Sequence, residues 1–159
     1  MKSAGWVLLV VLSLGGGVVW TVDAPAALQK GKEEGGKKQD PERAIANLIR
    51  GMQMDLETSS AHGVLSNIDS AKFDDYPRFE DMIERLTRED TLRVYFRQAT
   101  NSIKQDSAQT VIDAQMELTR KDSAAQPQRR SQQIVIDFEM TGRGWKIINI
   151  TPRDFFQPL

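Results

Sequence analysis

Residues 134–150 read IVIDFEMTGRGWKIINI, and the period of this stretch decides the fold. Ile134, Ile136, Phe138 and Met140 take every second position against Val135, Asp137 and Glu139, the two-residue repeat of a strand with one buried face. Thr141-Gly142-Arg143-Gly144 supplies turn chemistry, and the run from Trp145 to Ile150 returns to β-forming residues. The pair reads as a hairpin with its apolar side toward a core.

The same period extends upstream. Ile112, Ala114, Met116 and Leu118 alternate with Val111, Asp113, Gln115, Glu117 and Thr119, and before them Leu92, Val94 and Phe96 alternate with Arg93, Tyr95 and Arg97. The polar stretch 121–130, which contains Pro127, is expected as a loop between the second and third strands. Before Thr91 the period is helical. Asp40-Pro41 reads as an N-cap followed by proline at the first helical position, and Ile45, Leu48, Ile49, Met52 and Leu56 form one stripe to about residue 57. Thr58, Ser59 and Ser60 offer a cap for a short helix carrying Val64, Leu65 and Ile68 to about residue 69. Asp74 and Asp75 introduce a third helix near Pro77, with Phe79, Met82, Ile83 and Leu86 facing inward. Helices followed by an antiparallel meander give an α+β domain over residues 41–159: three N-terminal helices packed on one face of a four-stranded antiparallel sheet.

Residues 1–26 read as a signal peptide or signal anchor. Residues 5–22 carry no charge, Lys2 precedes them, and Ala24-Pro25-Ala26 offers small residues for cleavage before Ala27. The run is long for a signal core and short for a spanning helix, and Gly15, Gly16 and Gly17 weaken it as a helix, so both readings stand. Residues 27–40 contain four lysines, three glycines and little that is apolar, which predicts a flexible linker. The protein is therefore expected to be exported, periplasmic or extracellular, touching a membrane only through residues 5–22 if they are not removed.

Composition removes several functions. With 21 Lys and Arg against 22 Asp and Glu, the net charge of −1 supplies no field for nucleic acid. No cysteine and one histidine leave no disulfide, no cysteine nucleophile and no zinc-ligand set, and neither a phosphate-binding glycine loop nor a nucleophile elbow is present. No metal and no cofactor is expected.

Three segments carry a family resemblance: GRGWKIINITPRDFF at residues 142–156, SNIDSAKFDDYPRFEDMIERLTRED at 66–90, and LRVYFRQAT at 92–100. With the element order, they resemble the nuclear transport factor 2-like superfamily, the cystatin-like α+β cone. That resemblance implies a strongly curved sheet with the helices in its concavity. It also implies either a bare binding domain or a ketosteroid isomerase-type enzyme, whose carboxylate or histidine base faces an apolar pocket; fold alone does not choose.

The face assigned as inward, from Leu92 to Met140, carries no titratable residue in this count, whereas Arg93, Arg97, Asp113, Glu117, Asp137 and Glu139 lie on the other. These charges are expected as cross-strand pairs on a solvated surface or as the face of a homodimer formed through the sheet. No catalytic residue is assigned. Asp74, Asp75 and Tyr76 are placed at the mouth of the cone as ligand-binding residues, although helix capping is the simpler reading of the aspartates, and Trp145 is either core or pocket wall. His62 stands between two helices, with a helix-end role expected before proton transfer. The functional expectation is an exported non-catalytic domain that binds a small apolar ligand or mediates protein contacts; the alternative is a cofactor-independent isomerase, cyclase or dehydratase.

Overall fold

The computed structural model describes residues 40–122, 124 and 126–159; the signal segment and all but the last linker residue lie outside these. Helix α1 spans Pro41–Glu57, opened by Asp40, whose Oδ1 accepts the Glu42 N–H at 3.1 Å. It buries Ile45, Ile49, Met52 and Leu56 along one stripe. Helix α2, Ala61–Ser66, starts where the Ser60 hydroxyl accepts the Gly63 N–H, and it ends earlier than expected. Its chain leaves at Asn67 to meet the sheet: Ile147 N–H donates to Asn67 and Asp69 N–H donates to Ile147, both at 2.9 Å. Helix α3 spans Tyr76–Glu89 and buries Phe79, Ile83, Leu86 and Thr87, while Met82 is only half-buried.

Strands β1 (Asp90–Lys104), β2 (Ser107–Arg120), β3 (Gln128–Thr141) and β4 (Gly144–Thr151) form an antiparallel meander in the order β1-β2-β3-β4, followed by a 3-10 turn at Arg153–Phe156. Three N-terminal helices on a curved four-stranded sheet are the α+β architecture expected. Bulges at Gln98/Thr100 and opposite Asp137/Phe138 sharpen its bend.

Strand lengths differ from the sequence expectation. β1 and β2 run beyond the helices into a hairpin whose tip is Gln105-Asp106, and residues 98–102 are exposed. Neither face is covered there, so no apolar alternation marks the strand. Likewise β3 begins at Gln128, inside the expected loop.

Both edges of the sheet are covered where they cross the core. On β1, the Val94 N–H donates to Glu57 Oε1 at 3.0 Å and the Phe96 N–H to Gln53 Oε1 at 3.4 Å, both acceptors from α1. On β4, the Asn67–Asp69 segment does the same work.

Aromatic side chains fill the middle of the sheet's hollow. Phe155 and Phe156, both 0% exposed, turn up into it from the 3-10 turn and stack edge to face at 5.1 Å. Phe156 meets Phe79 of α3 at 5.7 Å, and Phe155 meets Phe96 of β1 at 6.3 Å. Each buried phenyl contributes about 1.5–3 kcal/mol to stability.

Candidate functional site

The register count holds in its main claim: Leu92, Val94, Ile112, Ala114, Met116, Leu118, Ile134, Ile136 and Phe138 are all buried. Two parts of it need correction. Met140 keeps the phase but is 37% exposed, lining with Pro41 and Ala44 of α1 a hollow that stays open among the described residues. The claim of a face without titratable groups fails at the opposite end. Asp90 is 0% exposed and stands across from Arg120 in the register, and Arg130 stands across from Met116, all in phase with the inward stripe.

These three residues form a clamp on the end of the chain. Asp90 Oδ2 accepts the Leu159 N–H at 3.2 Å, and Arg120 Nε lies 3.6 Å from Asp90 Oδ1. Arg120 also donates to Glu89 Oε2 at 2.6 Å and to the Leu159 main-chain oxygen. Its guanidinium holds the Glu89 carboxyl below the ordinary value, and Glu89 in turn raises Arg120. Arg130 donates to the main-chain oxygens of Phe155 (3.3 Å), Gln157 and Pro158 (3.5 Å). A period-two count carried past its apolar residues, from Leu92 back to Asp90, from Leu118 on to Arg120 and from Ile134 back to Arg130, would have found all three.

The four expected ligand residues do not share a hollow. Asp74 is exposed. Asp75 lies at the N-terminus of α3 with φ of 50°, and its side chain makes no capping bond, so the capping reading does not hold for it. It lines a recess of about 240 Å³ with Arg78, Met82, Arg153 and Asp154. Tyr76 is half-buried against the edge of Phe73 and donates to Glu80 Oε1 at 3.4 Å; burial, then Glu80, pushes its phenol up.

Trp145 is at the other end, 7% exposed, its Nε1 buried without an acceptor among the described residues. It walls a hollow of about 550 Å³ with Pro41, Ala44 and Met140, and Gln105 and Asp106 of the β1–β2 tip contribute the polar rim. His62 is exposed on α2. Among the described residues no group of three His, Asp or Glu side chains could hold a metal ion, and no helix is long and apolar enough to cross a membrane.

The outer face of the sheet neutralises itself. Arg97 meets Asp113 at 2.6 Å, Arg129 meets Glu117 at 2.8 Å, and Lys72 of the loop before α3 meets Glu139 at 2.6 Å. Arg97, then Gln133, holds the Asp113 carboxyl low. Asp137 accepts from Gln109 at 2.8 Å and Asn149 at 3.1 Å.

No protein-family model matches the chain, and no curated protein matches it in sequence. Solved structures match its shape. A nuclear transport factor 2-like superfamily protein from Salmonella enterica superposes with a TM-score of 0.61 at 9% identity, over 69% of this chain and 87% of that one. A candidate scytalone dehydratase from Novosphingobium aromaticivorans gives 0.60 at 8% identity, over 69% and 80%. A protein of unknown function from Shewanella oneidensis, also described as nuclear transport factor 2-like, gives 0.55 at 10% identity, over 70% and 97%. At such identities the likeness concerns architecture, and three helices in the concavity of a bent four-stranded meander place this chain in the nuclear transport factor 2-like fold.

Proposed function

We propose that the chain is an exported, non-catalytic binding domain that holds a small apolar ligand in the hollow beside Trp145. The observation that carries this reading is the division of apolar surface. Inside the cone it is consumed by Phe79, Phe155 and Phe156, whereas at the hairpin end Met140 is 37% exposed and, with the largely buried Trp145 and the start of α1, walls a hollow among the described residues. About 550 Å³ lies within the range of small-molecule sites, and walls of proline, alanine, methionine and tryptophan suit an uncharged apolar body. Export rests on the uncharged run at residues 5–22.

The enzyme alternative would need an acid and a donor around open space. Asp90, the carboxylate on the inward face, is occupied by Leu159 and Arg120. The paired charges on the outer face support a sheet turned to solvent rather than a homodimer face.

The uncharged fluorophore N-phenyl-1-naphthylamine tests the site. The full chain is expected to bind it saturably, one per chain. Met140→Asp, which puts a carboxylate on the open rim, should weaken binding tenfold or more with the far-UV spectrum unchanged. Equal binding by native and Met140→Asp chains would remove the Trp145 hollow as the site.

A further inference from the structure

Strand β1 outruns the helix that guards it. Its edge away from β2 is met by α1 at Val94 and Phe96, whose N–H groups donate to Glu57 and Gln53. Beyond them the strand continues to Lys104, and among the described residues only β2 bonds its main chain there. Residues of an antiparallel strand turn their main-chain groups to one neighbour and to the other in alternation. Val94 and Phe96 face outward, and the bulge between Gln98 and Thr100 shifts the phase by one, so Asn101 and Ile103 face outward next. Lys104, paired with Ser107 across the tip of the hairpin, faces β2.

This open stretch is shaped for another strand. Thr100, Asn101, Ser102 and Lys104 are exposed, and Ile103 is half-buried. Asn101 Oδ1 accepts the hydroxyl of Thr110, itself 0% exposed, at 2.8 Å, which fixes the first outward residue on β2. The stretch holds no proline, and Lys104 is its one charge. Outward N–H and C=O groups at strand spacing are matched by extended backbone, which adds to a sheet edge residue by residue.

We infer that the strand taken up here belongs to a second copy of this chain, Thr100–Lys104 pairing antiparallel with the same residues of that copy about a two-fold axis at Ser102. In this register Asn101 of each copy meets Ile103 of the other, so every outward residue exchanges N–H and C=O with another outward residue. Thr100 of each copy meets Lys104 of the other, which keeps the two lysines at opposite ends and sets no like charges face to face. Residues 27–39 of the same chain are a poorer match, with three glycines, four lysines and two glutamates among them. The sheet becomes continuous across both copies, while the outer face, neutralised by its own ion pairs, stays in solvent. So short a pairing covers less than a standard interface, and the dimer is weak.

Sedimentation equilibrium of the full chain, from micromolar to sub-millimolar concentration, tests this. The native chain is expected to pass from monomer to dimer, with hydrogen exchange at Asn101 and Ile103 slowing as concentration rises. Thr100→Lys opposes the other copy's Lys104 at two symmetric places and should weaken dimerisation about fivefold. Thr100→Glu should strengthen it by a similar factor, and adding Lys104→Glu to Thr100→Lys should restore native affinity. A native chain that stays monomeric overturns the inference. So does association that Thr100→Lys leaves unchanged, which would lie elsewhere on the chain, or a loss that Lys104→Glu fails to restore. Protection at Asn101 and Ile103 that is the same at every concentration would assign the edge to the chain's own residues 27–39, and would also overturn it.

Discussion

A Cβ built on Gly63 falls closer than 3.0 Å to the Asp55 carboxylate, because α2 turns back against the end of α1 at that point. Any cost of a side chain here therefore comes from displacing the Asp55 carboxylate, since the backbone at Gly63 is helical and any residue could adopt it. In the native background Gly63→Ala should destabilise the domain by about 1 kcal/mol, as the clash outweighs the helix-propensity gain. With Asp55→Ala already present, the same substitution should be neutral or stabilising by up to about 1 kcal/mol, a sign change that a denaturation double-mutant cycle reads directly. At this scale the sequence was legible where a residue acts through its neighbours in the chain, as Asp40 and Ser60 do in capping helices. It misled at Asp75, which occupies the cap position in a left-handed conformation that no capping rule anticipates.

Helix α1 does two jobs from two faces. Its apolar stripe enters the core, while Gln53 and Glu57 beside that stripe accept the free N–H groups of β1. Those acceptors protect an edge that would otherwise template another strand. Replacing both by alanine should cost about 1–3 kcal/mol in denaturant unfolding and raise self-association in light scattering, whereas the same change at Arg43 and Arg50 should do neither. The helices and the paired strand cores were visible from period and caps alone. The strand ends were not, because residues 98–107 are exposed apart from the part-buried Ile103, so too little of either face is covered there to impose alternation.

Across the molecule, Arg120 ties the end of α3, the start of β1 and the end of the chain through Glu89, Asp90 and Leu159. The Glu89 carboxyl lies below its ordinary 4.5 because Arg120 bonds its charged form. Just below that value the unfolded chain binds the proton that the folded chain refuses, so the contribution is fully present above about 4.5 and is lost as pH falls through the depressed folded value. Urea midpoints of the native chain should fall on acidification below about pH 4.5, and Glu89→Gln should make that decline shallower. An unchanged slope would mean that the Glu89–Arg120 bond is not held in solution.

The amino-acid order alone determined the class of fold, its three helices, its four strands and which side of the first three strands is apolar, because those properties follow from periodicity and local hydrogen-bond chemistry within a few residues. Whether the apolar side encloses space or is filled was settled only in three dimensions. Phe155 and Phe156 follow the last strand and return beneath the first, and no local pattern announces where a chain end will pack. Asp90, Arg120 and Arg130 were hidden for the same reason: as charged residues at strand ends they look solvated, and only the returning segment supplies the main-chain partners that let them turn inward.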